Sequence, residues 1–189
     1  MHRLLFACFA LLAQAASIRD VDFKNFTYPF IKSDLISVPG DLRWMKGDAG
    51  YSIPLRNAEF RPPCDTPIGC PSFWLNKVAF GSLNGIPGTS AIVTIWYSTG
   101  GTANWQYLYV VTLRSGKPEV LAWLETGSRA DMGLRKATVQ RGDLVLVVSD
   151  PDKREADCCS TGSITYRYRW QRDAFFLIGP PEKKDDPPR

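Results

Sequence analysis

The C-terminal half of the chain alternates between apolar and polar positions. Over 163–170, Ile164, Tyr166, Tyr168 and Trp170 fall on one side of an extended segment, with Ser163, Thr165, Arg167 and Arg169 on the other. That is the period of a strand with one buried and one wet face. Leu144-Val145-Leu146-Val147-Val148 is apolar at every position, as a central strand covered on both faces would be. Further strand-like runs occupy 73–80, 91–97, 105–114, 119–125, 134–140, 143–149 and 174–178. Between them lie turns such as Ser115-Gly116-Lys117-Pro118, Arg141-Gly142 and Gln171-Arg172-Asp173. Strands at this spacing predict an all-β fold, a single antiparallel β domain over 73–178 built as a sandwich, barrel or twisted meander.

The flanks read differently. Weak alternation over 18–28 predicts one strand. Pro29, Pro39, Gly40, Gly47, Gly50 and Pro54 then punctuate a loop-rich stretch, with a short helix over 33–38 stopped by Pro39. The expectation is an irregular N-terminal region, 16–72, packed on the β domain. Pro180, Pro181, Pro187 and Pro188 among mixed charges predict a disordered tail over 179–189.

Residues 1–15 carry the pattern of a signal peptide. His2 and Arg3 precede an apolar run over 4–12, and Ala13-Gln14-Ala15 supplies a small-x-small cleavage site. The run is too short to cross about 30 Å of hydrocarbon, and no later segment is long and apolar enough. Cleavage near Ala15 and a secreted or periplasmic location are therefore expected, with no transmembrane segment in the mature chain. Loss of the signal would remove Cys8 and leave Cys64, Cys70, Cys158 and Cys159, an even set suited to disulfides in an oxidising compartment. If Cys64 bonds Cys70, the adjacent Cys158 and Cys159 must pair vicinally; crossed pairings would instead staple two loops together. Cys-x5-Cys plus Cys-Cys lacks the ligand-pair spacing of a zinc site.

Charge and composition narrow the chemistry. The net charge is +4, with lysines and arginines interleaved among acids, so no basic run tracks a phosphate backbone and nucleic acid is not an expected partner. His2 is the single histidine. A mature chain without it has no Ser-His-Asp or Cys-His system and no imidazole acid or base. No cofactor is expected. The reading leans away from an enzyme, leaving as alternative a carboxylate-based secreted hydrolase using residues such as Glu119, Glu125 and Asp131.

Three clusters are candidate ligand sites. Trp105, Tyr107 and Tyr109 share one strand face, with Trp96 and Tyr97 on the expected hairpin partner. Exposed, they would stack on sugar rings or a protein partner; buried, they are core. Arg129, beside Gly127 and Asp131, has the chemistry of an anion clamp or of an Arg–Asp pair stiffening a turn. Asp150, Asp152, Glu155 and Asp157 bring oxygen ligands close in sequence, as a calcium loop does. Lys153 and Arg154 lie among them without a turn glycine, which favours a solvated loop.

Several segments carry a resemblance. They are Ala79-Phe80-Gly81-Ser82-Leu83-Asn84-Gly85, Thr126-Gly127-Ser128-Arg129-Ala130-Asp131, Asp150-Pro151 followed by Asp157-Cys158-Cys159-Ser160, and Tyr166-Arg167-Tyr168-Arg169-Trp170. Together the chain resembles a family of exported bacterial proteins of unknown function, with an Asp-Pro…Cys-Cys element before a Tyr-x-Trp strand. The resemblance implies export and supplies no activity. Where similar proteins place acids in the turn after the first strand, this chain has Ser82, Asn84, Ile86, Pro87 and Thr89, so a calcium role there is not expected. The leading functional expectation is a non-enzymatic exported domain that binds an envelope polymer or a protein partner. A purely structural envelope module is the further alternative.

Overall fold

A computed structural model describes residues 17–30, 44, 50–64, 70–100, 104–127, 132–156 and 159–187. The expected signal peptide, the helix over 33–38, and the candidates Arg129, Asp131, Asp157 and Cys158 lie outside them. The chain is all-β, and its strand pairs are antiparallel.

The N-terminal stretch read as a strand over 18–28 instead starts with two 3-10 turns, Ile18–Asp20 and Phe23–Asn25. The cause is local. Ser17 Oγ accepts from the Arg19 N–H, Asp20 caps the Ser17 N–H, and Asp22 accepts from the Lys24 N–H. Short polar side chains thus offer the backbone bonds that an extended conformation would leave open. Strand β1 (Thr27–Phe30) then pairs with β2 (Tyr51–Pro54).

A first sheet follows, in the order β3 (Glu59–Phe60), β4 (Ser72–Gly81), β5 (Ser90–Ser98), β6 (Asn104–Arg114) and β7 (Lys117–Thr126). The second sheet contains β8 (Leu134–Gln140) and β9 (Asp143–Ser149). A small ribbon, β10 (Arg154–Ala156) with β11 (Cys159–Ser160), leads into β12 (Gly162–Gln171). Strand β12 pairs with β9 on one side; on the other it meets β13 (Ala174–Leu177) and β14 (Glu182–Asp185), end to end.

Strand β14 corrects the expectation of a disordered tail. Its side chains are all exposed, so burial does not hold it. It is held by ladder bonds to 162–165 and by ion pairs of Lys183 with Asp152, Lys153 with Asp185 and Arg135 with Asp186.

Three layers result. Ile92, Leu108, Val110 and Leu124 of the first sheet share one core with Leu144, Leu146, Val148, Ile164, Tyr166 and Tyr168 of the second. The opposite face of the first sheet carries Val93, Ile95, Tyr107, Tyr109 and Trp123, covered by Ile18, Phe23, Tyr28, Ile53 and Leu55 of the N-terminal layer. Each large side chain buried in this way contributes about 1.5–3 kcal/mol. Strand β9 lies between β8 and β12, and only Val147 in its 144–148 run is not fully buried, as its continuous apolar run requires.

Tight turns set the registers. Arg141 (φ 54°) and Gly142 (φ 81°) join β8 to β9, the left-handed pair that matches strand twist in a two-residue hairpin. Asn84 docks on that turn. Its N–H donates to Gly142 O at 2.8 Å and its Nδ2 to Arg141 O at 3.2 Å. The residue at the departed calcium-like turn is therefore a tie between loop and hairpin.

Candidate functional site

The aromatic row divides between two faces. Trp105, Tyr107 and Tyr109 of β6 pair in register with Tyr97, Ile95 and Val93 of β5, on the side covered by the N-terminal layer. Tyr107 and Tyr109 are buried, which corrects their candidacy as an exposed stacking surface. The Tyr109 hydroxyl donates to Pro29 O at 2.9 Å and the Tyr107 hydroxyl to Glu125 at 3.0 Å. Burial pushes both phenols well above their ordinary pKa, with the nearby Glu125 charge adding to it. Tyr97 and Trp105 are half-buried at the rim. Tyr97 shares an apolar hollow of about 350 Å³ with Phe30, Tyr51, Phe60 and Phe73.

Trp96 points the other way, into the space between the sheets. The register aligns Trp74, Trp96, Gln106 and Thr126 across β4, β5, β6 and β7. The Trp74 and Trp96 rings are parallel within 3°, with centroids 6.4 Å apart. Gln106 is 6% exposed and its Oε1 has no hydrogen-bond partner. An unsatisfied buried amide oxygen costs about 1–3 kcal/mol, so it marks a place where a water or ligand group belongs.

Two β-bulges open this edge of the sandwich. In β4 the register skips Asn76, so Lys77 pairs with Thr94 on the inner face that also bears Trp74. In β8 it skips Arg135. A bulge re-aims the extra side chain, and Arg135 turns into the seam. Its Nε donates to Ser149 Oγ at 3.0 Å. Its Nη2 donates to the carbonyls of Ser160 and Gly162 at 2.9 and 2.7 Å, and its Nη1 to both Asp186 oxygens at 2.8 Å.

Between the sheets lies a cleft of about 490 Å³, within the range of small-ligand sites. Its lining includes Trp96, Asn104, Gln106, Arg135, Ser149 and Asp186. A smaller hollow of about 50 Å³ continues from it past Leu134 and Arg135, lined by Asn76, Lys77, Thr94 and Lys136. Gly127 and Cys159 also border the cleft. The structure thus brings Trp96 together with the ends of two segments singled out in the sequence. Trp74, Gln106, Arg135 and Asp186 escaped sequence reading, because nothing in a sequence marks a bulge or a cross-strand row.

The carboxylate candidates are otherwise engaged. Lys183 Nζ lies 2.5 Å from Asp152 and 3.7 Å from Asp150, and its hydrogen bond holds the Asp152 carboxyl below the usual range. Asp150 is buried and caps the 3-10 turn Pro151–Lys153 through the Asp152 N–H, while Glu155 is exposed. Among the described residues no group of His, Cys, Asp or Glu is placed to hold a metal ion. Glu119 sits in an ion pair with Arg114 at 3.4 Å. Glu125 bonds Tyr107, and the bulge at Leu121 puts these two glutamates on opposite faces of β7.

Cys64 and Cys70 form a disulfide with Cα atoms 5.7 Å apart, within ordinary disulfide reach. Cys159 is also disulfide-bonded. No helix among the described residues is long and apolar enough to cross a membrane. No family model, curated protein or solved structure matches this chain.

Proposed function

We propose that this chain is a non-enzymatic exported binding domain that takes an extended envelope polymer in the cleft between its two sheets. The observation that carries this reading is the cross-strand row of Trp74, Trp96 and Gln106, with parallel indoles beside a buried amide lacking a partner. Flat aromatic faces and a few fixed polar groups are how a rigid scaffold orients a ligand. The cleft is bordered by β8, an edge strand of the second sheet, so a chain-like ligand can pass along it without a closed pocket. Export is supported by the N-terminal apolar pattern and by the Cys64–Cys70 disulfide. The hydrolase alternative is weakened by the opposite facing of Glu119 and Glu125, since paired carboxylates must flank one bond about 5–9 Å apart.

Cosedimentation of the oxidised mature protein with insoluble envelope polysaccharide tests the proposal. Trp96→Ala and Gln106→Leu should each weaken binding about tenfold, which corresponds to ~1.4 kcal/mol. Equal sedimentation of wild type and both variants would place the binding elsewhere and sink the reading.

A further inference from the structure

The charges around the cleft bear on the ligand class. Among its described lining residues Arg135 is the cation, and its three guanidinium nitrogens are committed to Ser149, Ser160, Gly162 and Asp186. Asp186 offsets its charge, so these described lining residues carry no net charge. The adjoining hollow is different. Lys77 lines it from the bulged β4 and, among the described residues, is in no ion pair; Lys136 also borders it but pairs in register with Val147, on the face of β8 opposite Leu134 and Ala137. Both are exposed.

The β4 bulge is what makes this arrangement. Without it, Lys77, three residues after Trp74, would point to the opposite face. With it, Lys77 follows Trp74 on the inner face, beside Thr94. A sugar ring on Trp96 therefore has hydrogen-bonding groups of Asn104 and Gln106 on one side and uncompensated positive charge a short way along the seam.

We infer that the preferred ligand is an acidic glycan, a polymer with a carboxylate or phosphate on its sugar units. A ring packs against Trp96 and its anionic substituent reaches Lys77. This inference rests on the binding reading above and specifies its ligand chemistry. Opposite charges at an open, solvent-facing seam are screened by salt, so affinity should fall as ionic strength rises.

The test uses isothermal titration of the oxidised protein with an oligogalacturonate, a maltooligosaccharide and inorganic polyphosphate. The oligogalacturonate should bind most tightly, and less tightly at high salt. Lys77→Gln should weaken it about fivefold at low salt, ~1 kcal/mol, and flatten the salt dependence, whereas Lys136→Gln should leave both nearly unchanged. Trp96→Ala should weaken it at every salt concentration, with Trp96→Phe restoring part of the loss. Maltooligosaccharide binding that matches the acid and ignores Lys77→Gln would overturn the charge assignment while leaving the polymer reading intact. Polyphosphate binding that is equally tight and indifferent to Trp96→Ala would overturn the glycan. No response to any of the three probes overturns the inference, and the cosedimentation result then decides the broader reading separately.

Discussion

Arg135 and Asp186, on β8 and just past β14, are joined through a single nitrogen, Nη1, that donates to both carboxylate oxygens at 2.8 Å. The other two nitrogens of the same guanidinium reach Ser149 and the carbonyls of Ser160 and Gly162. One side chain at a bulge therefore ties an edge strand, the β11–β12 corner and the C-terminal segment into one wall of the cleft. The pair is about one-third exposed on each side, which limits it to about 1–2 kcal/mol. Asp186→Ala should lower the melting midpoint by ~2–5 °C. It should also raise hydrogen exchange in β14 and at 162–165, which hydrogen-exchange mass spectrometry resolves. Unchanged protection there would mean that the ladder alone holds the strand.

Gly142 is bound to its place by conformation and by Asn84. Its φ of 81° is a left-handed value, and a Cβ added there would run into the Asn84 side chain. Gly142→Ala is expected to cost about 1–3 kcal/mol in chemical denaturation. Asn84→Ala removes the bond to Arg141 O and also the collision. The double variant should therefore be clearly less destabilised than the two single losses added together. Strict additivity would show that backbone strain alone sets the cost.

Strand existence and facing were legible wherever burial on one face enforces alternation. Ile164, Tyr166, Tyr168 and Trp170 are all buried while Thr165, Arg167 and Arg169 are not, as their period predicts; Ser163, expected on the wet face, is buried. The bulges were not legible. Skipping Asn76, Leu121 or Arg135 changes parity by one residue, and no residue type there announces it, yet those skips decide where Lys77, Glu119 and Arg135 point. Strand β14 was hidden for another reason. Glu182-Lys183-Lys184-Asp185 has no apolar face, and its pairing depends on charges brought near only by the fold. The aromatic row could be found but not assigned, because burial of Tyr107 and Tyr109 depends on an N-terminal layer whose docking face has no local signature.

Acid should act through Asp143. Its side chain is 6% exposed and takes hydrogen bonds from Arg169 at 2.8 and 3.0 Å, with Arg167 at 3.8 Å. The Arg169 hydrogen bonds hold its carboxyl below the usual range against the opposing effect of burial, and the two arginine charges assist. A carboxyl depressed in the folded state stabilises at pH values above its unfolded pKa of about 3.9. That contribution is lost as pH falls from there through the lower folded value. Asp143→Asn should destabilise by about 1–2 kcal/mol at pH 7, with the gap to wild type closing below about pH 3.9. A gap that stays constant to pH 2 would exclude the ion pair as its cause.

Alkali should act through the buried phenols. Burial raises Tyr28, Tyr107 and Tyr109 above their ordinary pKa, helped by Asp22 at Tyr28 and by Glu125 at the other two. Each hydroxyl donates within the N-terminal layer or sheet edge: Tyr28 to Phe23 O, Tyr107 to Glu125 and Tyr109 to Pro29 O. A phenol raised in the folded state contributes stability that is full below the unfolded pKa of about 10. Above it the unfolded chain ionises first, and the contribution drains away as pH climbs towards the folded value. Absorbance at 295 nm should therefore show the three buried tyrosines ionising only in a cooperative step above about pH 10, together with loss of near-ultraviolet circular dichroism. Tyr109→Phe leaves Pro29 O without its donor and should loosen the N-terminal layer by about 1 kcal/mol, bringing that step to lower pH. Smooth titration of these three near about pH 10 with the fold intact would mean that the N-terminal layer opens freely in solution.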